Sequence, residues 1–302
     1  MGKRFAIGMD VGGSHITAAI IDINEMKIID GSVSKVSFDS NLPVKMVMDY
    51  WENAIRTLCK NMQVEKLSGI ALAIPGPFDY EKGTFWIKDQ NKYDNFYGLN
   101  IKDLLRERFA FDSDFPIVAE NDAISFGKGE VYKNPENLTK NVMAITLGTG
   151  LGSCFIENGK VINSGNTVPE NGEIWNLPFK NGIAEDSVSL RGLLSNYLDI
   201  SGNLLNEGLE LYYLANKGDE KAIKIFNNFG EDLAEIVLPK LKNFNADLLV
   251  IGGKLANAGD FFLNTFREKA QKEGIKVEVQ ISTDNETSAL LGVATLLYEV
   301  EA

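Results

Sequence analysis

Two glycine-rich runs, Asp10-Val11-Gly12-Gly13-Ser14 and Thr146-Leu147-Gly148-Thr149-Gly150-Leu151-Gly152, carry the residue types that phosphate chemistry uses. Where only hydrogen projects from the backbone, several N–H groups can close on phosphate oxygens. Ser14, Thr146 and Thr149 add hydroxyls. Asp10, at the mouth of the first run, suits a hydrated Mg²⁺, which takes oxygen ligands and keeps several waters. Each run lies between two strand-like segments. The dinucleotide fingerprint and the P-loop both open a helix after their glycines, so this pattern excludes them. One such run alone reads first as a tight hairpin. Two in corresponding places of two half-chains read as a pair of grips on a polyphosphate.

Asp122 closes the run Glu120-Asn121-Asp122, just after the short apolar strand Ile117–Ala119. Ligands of α/β proteins collect at that carboxyl end. A free carboxylate there can take the proton of an attacking hydroxyl, which is sufficient chemistry for a phosphoryl transfer governed by positioning and charge. Asn121-Asp122 reads equally as the cap of the following helix. Glu173 and Glu185 lie in a Gly/Asn/Pro-rich stretch without periodicity, where a glutamate is ordinarily solvated loop charge. Gly252-Gly253 after Leu248–Ile251 allows either a close backbone approach to a ligand or a plain helix entry. His15, the chain's one histidine, adjoins the first turn. Protonated, it would help hold phosphate; neutral, it packs beside the turn.

The elements that must position these residues repeat. Phe5–Met9, Ile16–Ile21 and Lys27–Val36 form a three-strand meander. Val44, Val47, Met48, Trp51, Ile55, Leu58, Cys59 and Met62 mark one apolar face of a helix over Pro43–Met62. The buried strand Gly69–Ile74 stops at Pro75-Gly76-Pro77, and a helix follows around Leu104–Phe109. The pattern then restarts with strands Val142–Leu147 and Ser153–Ile156, and Asn158-Gly159 is a two-residue hairpin signal before Lys160–Asn163. Helices over 187–198, 204–216 and 220–242, the strand Leu248–Ile251, a strand near Val277–Ile281 and a closing helix Glu286–Tyr298 complete the chain. Two related α/β domains are expected, with a hinge near residues 120–140.

The 302 residues carry a formal net charge of −12, with 44% hydrophobic and 24% charged residues. So acidic a chain has no electrostatic reason to seek nucleic acid or an anionic membrane surface. It also repels polyphosphate at long range, so binding must rely on local devices. The N-terminal apolar run is too short for a signal peptide, no segment approaches the length of a membrane span, and Ala6 stands where a myristoylation signal needs Ser or Thr. Cys59 and Cys154 read as buried thiols, and a cytoplasmic protein is expected.

Phe5–Ser14 and Thr146–Gly152 resemble the two phosphate motifs of the actin/hexokinase-like ATPase superfamily. Within it, the chain resembles the ROK family (repressors, open reading frames, kinases) of bacterial sugar kinases and regulators. Ile74-Pro75-Gly76-Pro77, Glu120-Asn121-Asp122-Ala123, Gly172-Glu173-Ile174, Val250-Ile251-Gly252-Gly253 and Ser288–Ala294 extend that resemblance over nearly the whole chain. It implies an α/β fold of two actin-like, ribonuclease H-like domains facing across a nucleotide/sugar cleft. Residues 1–120 with 286–302 would form the sugar/phosphate domain and 121–285 the nucleotide-binding domain. The implied activity is ATP-dependent phosphorylation of a free hexose or hexosamine, at the 6-hydroxyl in the commonest members.

By the same resemblance, Asp122 is the general base and also touches the sugar with Asn121, Gly76, Glu173 and Glu185. Asp10 holds Mg²⁺ through water. Gly12, Gly13, Ser14, Thr146, Gly148, Thr149 and Gly150 take the phosphates, and Gly252-Gly253 the adenosine. Trp86, Tyr93, Phe96 and Tyr97 either face the sugar or, as aromatic residues more often do, fill the core. The family has a His soon after the first glutamate and then three Cys, which together hold a structural zinc. Here Asn176 stands at the His position and no Cys lies between Glu173 and Glu185, so no zinc is expected, and Asn176 is left to hydrogen-bond the sugar. His15 stands where relatives commonly have Lys. The family also implies a homodimer. Two alternatives remain. A sugar-sensing regulator would need a DNA-binding module ahead of Asp10, for which little chain is seen, and a degenerate sugar/ATP-binding protein would lack activity.

Overall fold

Alternation along strand β1 (Phe5–Val11) organises the first half of the molecule. Ile7, Met9 and Val11 enter a core with Val47, Trp51 and Ile55 of helix α1 (Val44–Cys59). Ala6 faces the other way, into a second core with Leu290, Val293 and Ala294 of the C-terminal helix, Asn285–Glu301. Successive strand residues point to opposite faces, so Asp10 shares the face of Ala6 and Gly8, under the start of that helix. The structure is a computed structural model and describes residues 4–60 and 67–301. Met62, at the end of the helix read from the sequence, lies outside the described residues, as do Met1, Gly2 and Lys3.

Strands β2 (His15–Asp22) and β3 (Lys27–Ser37) run antiparallel beside β1, while β4 (Leu67–Ile74) is parallel to it on the other side. A small hairpin, β5 (Phe78–Asp79) and β6 (Thr84–Phe85), leads to α2 (Ile101–Phe109). Then β7 (Ile117–Asn121) joins the sheet parallel to β4 and hands over directly to α3 (Asp122–Lys133). The sheet order is β3-β2-β1-β4-β7. The carboxyl ends of β1, β4 and β7 therefore lie along one edge, and they carry Asp10, Gly76 and Asn121-Asp122. Helix α3 and the C-terminal helix approach so closely that a Cβ on Gly129 would stand 1.8 Å from the Ser288 carbonyl oxygen, and one on Gly292 would stand 1.7 Å from that of Ser125. Only glycine fits at this crossing.

The second half repeats the plan. Strands β8 (Asn141–Leu147) and β9 (Leu151–Glu157) flank the second glycine turn, and β10 (Lys160–Val161) returns through Asn158-Gly159, whose φ values of 49° and 74° are those of a type I′ hairpin. A hairpin of β11 (Pro178–Phe179) and β12 (Gly182–Ile183) precedes helices α4 (Ala184–Ser187), α5 (Leu190–Ser201), α6 (Gly208–Asn216) and α7 (Glu220–Phe244). The helix expected from Leu204 thus begins at Gly208. Strand β13 (Leu248–Gly252), helix α8 (Gly259–Lys272) and strand β14 (Glu278–Ile281) follow. The order β10-β9-β8-β13-β14, with β13 and β14 parallel to β8, matches the first sheet. Met143, Ile145, Phe155, Phe229, Val237 and Phe262 anchor its separate core.

Residues 1–133 with 286–302 form one compact unit and 134–285 the other. The chain leaves the first unit after Lys133, later than the boundary at 120/121 read from the sequence. Asn121 completes β7, and α3 packs on the C-terminal helix, which keeps both with the first sheet. No described helix is long and apolar enough to cross a membrane.

Candidate active site

In the first unit the glycine turn is a true hairpin. The Gly12 N–H donates to the His15 carbonyl at 2.9 Å, so Gly12 shapes the turn, and the exposed Gly13 and Ser14 present the N–H groups that remain. Tyr93 braces it from beneath: its hydroxyl donates to the Gly12 carbonyl at 2.8 Å, and its ring is wholly buried against Trp51, Phe85 and Phe96. Burial, with a smaller contribution from Asp10, holds the Tyr93 phenol well above its ordinary pKa, so it stays a donor. Tyr93 and Phe96 are therefore core residues. Trp86 and Tyr97 are exposed and pack edge to face at 5.5 Å.

The two aspartates meet at the sheet edge. Burial pushes the Asp10 carboxyl up to about 7, the Asp122 and Glu286 carboxylates add to the rise, and Lys35 opposes it. Glu286, in the first turn of the C-terminal helix, accepts from Thr17 Oγ1 at 3.4 Å and pairs with Lys35 Nζ; His15 Nε2 lies 3.6 Å from it. His15 is thus neither loose nor merely apolar packing. Its ring lies against Gly12, where a Cβ would meet His15 Cε1 at 3.2 Å.

Asn121 caps α3, its Oδ1 accepting from Ala123 N at 2.9 Å and Ile124 N at 3.2 Å. Its amide donates to the Tyr80 hydroxyl at 3.1 Å, and that hydroxyl donates to the Ile74 carbonyl beside Gly76. Asp122 opens the helix with Oδ1 2.9 Å from its Ala123 N–H partner. Burial raises the Asp122 carboxyl, while the Ala123 N–H and the Lys92 ammonium pull it back down. Helix capping by Asn121 and a desolvated carboxylate at Asp122 thus coexist in the pair.

In the second unit the turn is closed by Gly148 N–H on the Gly150 carbonyl at 3.0 Å, and the Gly148 carbonyl accepts from Leu190 N at 2.8 Å. Thr149 is exposed at its tip. Glu185 lies against this turn: its Oε2 accepts from Leu151 N at 3.0 Å, and Arg191 stands 3.6 Å from Oε1. Glu173 accepts from Trp175 Nε1 at 3.0 Å, and Asn176 is exposed next to it. The backbone ties both glutamates together through Glu185 N on the Trp175 carbonyl at 3.0 Å. Gly252 ends β13, and Gly253 has φ 86° with room for no side chain, since a Cβ would stand 2.1 Å from the Leu147 carbonyl oxygen. Its N–H donates to Asn285 Oδ1 at 3.0 Å. Gly253 thus packs against the strand that leads into the second turn.

The ROK family model matches residues 6–299. The chain belongs to the ROK family. Among curated relatives of this ROK protein, the glucokinase of Thermotoga maritima is 23% identical over 99% of both chains. The N-acetyl-D-glucosamine kinase of Haemophilus influenzae is 26% identical over 83% of this chain and 84% of that one. A ROK glucokinase of Streptomyces griseus, solved with glucose and AMPPNP, shares the fold at a TM-score of 0.73 and 20% identity over 98% of this chain and 99% of that one. The sheets described above are the mixed α/β, two-domain architecture of this family.

Sequence reasoning missed Tyr80, Lys35, Lys92, Glu286 and Arg191 as neighbours of the site. Only Tyr80 left a trace, in its closeness to the Pro75-Gly76-Pro77 break. For metals, residues 173–185 offer neither Cys nor His, so they do not fit the family's zinc. They form instead the β11–β12 hairpin, tied down by Lys180 Nζ at 2.6 and 2.7 Å from the two Asp232 oxygens. Asp10, in a site crowded with negative charge, does fit a divalent cation. Among the described residues no three His, Cys, Asp or Glu gather into a ligand set, so water and phosphate oxygens would complete its shell.

Proposed function

We propose that the protein is an ATP-dependent kinase of a free hexose or hexosamine, acting at the 6-hydroxyl, with Asp122 as general base. The observation that carries this reading is the placement of Asp122. Its carboxyl is raised by burial, stands at the same strand-end edge as Asp10, and is near enough to Asp10 for the two charges to interact. A carboxylate of raised pKa is a better proton acceptor at neutral pH than an ordinary one. In the reaction, the sugar hydroxyl passes its proton to Asp122 as its oxygen bonds the γ-phosphorus of ATP. The bond from that phosphorus to the β,γ-bridging oxygen breaks, and ADP leaves. Asn121 and Gly76 line the sugar edge, and Glu173, Glu185 and Asn176 offer further partners for hydroxyls. Each glycine turn, with Gly13 and Ser14 in the first unit and Thr149 and Gly150 in the second, has N–H groups of the kind that bind phosphate oxygens. Mg²⁺ supplies neutralisation of phosphate charge when bound, and Asp10 would hold it through water.

A coupled ADP-release assay with Mg-ATP and a panel of free hexoses and N-acetylhexosamines tests this. Sugar-dependent turnover is expected, and Asp122→Asn is expected to lower kcat at least ~100-fold while sugar binding survives. Near-normal turnover in that variant would remove Asp122 from the base role. Silence across the panel from folded, ATP-binding protein would overturn the kinase reading.

A further inference from the structure

Between the hairpin β5–β6 and α2 runs a polar segment, Asp89-Gln90-Asn91-Lys92-Tyr93-Asp94-Asn95, in which the reading above gives Lys92 no part in the reaction. It is held in one shape. Asp89, Asn91 and Tyr93 take φ values of 57°, 55° and 54°, a left-handed conformation that Asp and Asn adopt readily but that Tyr93 holds only where the surroundings enforce it. The surroundings are present: Asn41 Nδ2 donates to the Asn91 carbonyl at 3.1 Å, Asn95 Nδ2 donates to the Asn41 carbonyl at 2.8 Å, and Tyr93 is locked into the core and onto Gly12. Lys92 stands between those anchors. Its stem covers the first glycine turn, where a Cβ on Gly13 would meet Lys92 Cβ at 3.7 Å and Cδ at 3.9 Å. Its ammonium is close enough to Asp122 to stabilise the ionised carboxylate. One partly buried cation thus spans the turn that offers N–H groups to phosphate and the carboxylate that faces the acceptor. Lys35, whose charge also reaches this edge, is committed to Glu286. In a chain of net charge −12, a cation held near this point by its backbone is what a polyphosphate would need.

We propose that Lys92 is a further catalytic residue, its ammonium contacting the phosphoryl group as it passes from ATP to the hydroxyl at Asp122. The proposal rests on the kinase reading. The three equatorial oxygens of the moving group carry the charge in the transition state, and a preorganised cation beside them lowers the barrier. Lys92 neither takes nor gives a proton; Asp122 accepts the hydroxyl proton and ADP carries away the bond electrons.

The test compares wild type, Lys92→Met and Lys92→Arg by sugar-dependent ADP release and by calorimetric binding of Mg²⁺ with a non-hydrolysable ATP analogue or with ADP. Lys92→Met is expected to lower kcat by ~30- to 1,000-fold with the sugar KM within threefold of wild type. It should weaken the ATP analogue more than ADP by about tenfold, and Lys92→Arg should recover most of both losses. A kcat within threefold of wild type in Lys92→Met overturns the proposal. So does a loss of kcat with an unchanged preference for the ATP analogue over ADP and an acid limb displaced to higher pH, because Lys92 would then act only through Asp122. If the wild type shows no sugar-dependent turnover, the kinase reading fails, and the nucleotide comparison still decides whether Lys92 meets the terminal phosphate. Should Lys92→Met fail to fold, Lys92→Gln carries the same comparison.

Discussion

At Asp10 the carboxylate that suits a hydrated cation works against the fold. Its folded pKa of about 7 lies above the ordinary carboxylate value of 3.8. Between those pH values the folded state holds a proton that the unfolded state has released, so stability falls as pH rises through that window and stays lowered above it. Asp10→Asn removes the penalty. In metal-free protein it should raise Tm at pH 8, with the gain shrinking towards zero near pH 4; a gain independent of pH would show that the carboxyl is not so perturbed. Mg²⁺ added at pH 8 should then stabilise wild type more than Asp10→Asn. Residues of this kind were legible where motif and strand end coincide, as at Asp10 and Asn121-Asp122. Lys92 and Glu286 were not: lysine and glutamate are ordinary surface residues, and only folding brings positions so distant in sequence to one edge.

Among the elements, the β11–β12 hairpin lies in the stretch 173–185 that contains neither Cys nor His. The turn at Lys180 (φ 50°) aims the side chain back at α7, where Asp232 is largely covered and Lys180 Nζ also lies 5.3 Å from the Phe179 ring. Burial raises the Asp232 carboxyl and Lys180 counters it. Lys180→Met leaves that buried carboxylate without its partner and should lower stability by about 1–3 kcal/mol. In urea denaturation, the double variant with Asp232→Asn should lose less than the sum of the two single changes; simple additivity would show that the pair does not interact. Because Trp175 and Leu177 accept from Glu185 and Ala184 N–H groups, loosening this hairpin should also raise the sugar KM more than it lowers kcat. Zinc at one equivalent per chain in purified protein would show that this stretch is held in another way. The absence of Cys was plain in the sequence. The ion pair that ties the hairpin was not, since Lys180 and Asp232 are far apart along the chain.

At the scale of the whole molecule, the first unit is not continuous in sequence: residues 286–302 return to close it. Their helix fills the face of the sheet lined by Ala6, Ala19, Ala71 and Ala73, small residues that let it lie close. The crossing at Gly129 and Gly292 gives α3, and hence Asp122, a fixed support. Gly292→Ala should force the two helices apart and destabilise the first unit by ~2 kcal/mol or more. Hydrogen exchange is expected to rise in β1, β4, β7 and α3 while residues 141–281, which have their own core, keep their protection. Unchanged exchange in α3 would show that the crossing is not a constraint.

By itself the sequence determined the family, the repeated order of strands and helices, and the glycine turns, because these depend on local periodicity and on backbone conformations that few residues can adopt. It also placed Asp10 and Asp122 at strand ends. It put the first domain boundary too early, since nothing local says which sheet α3 packs on. Tertiary structure decided which face of β1 meets the C-terminal helix, which charges surround Asp10, and that Lys92 lies over Gly13. Those are matters of strand register, close packing and desolvation, which arise only when distant segments share one interior.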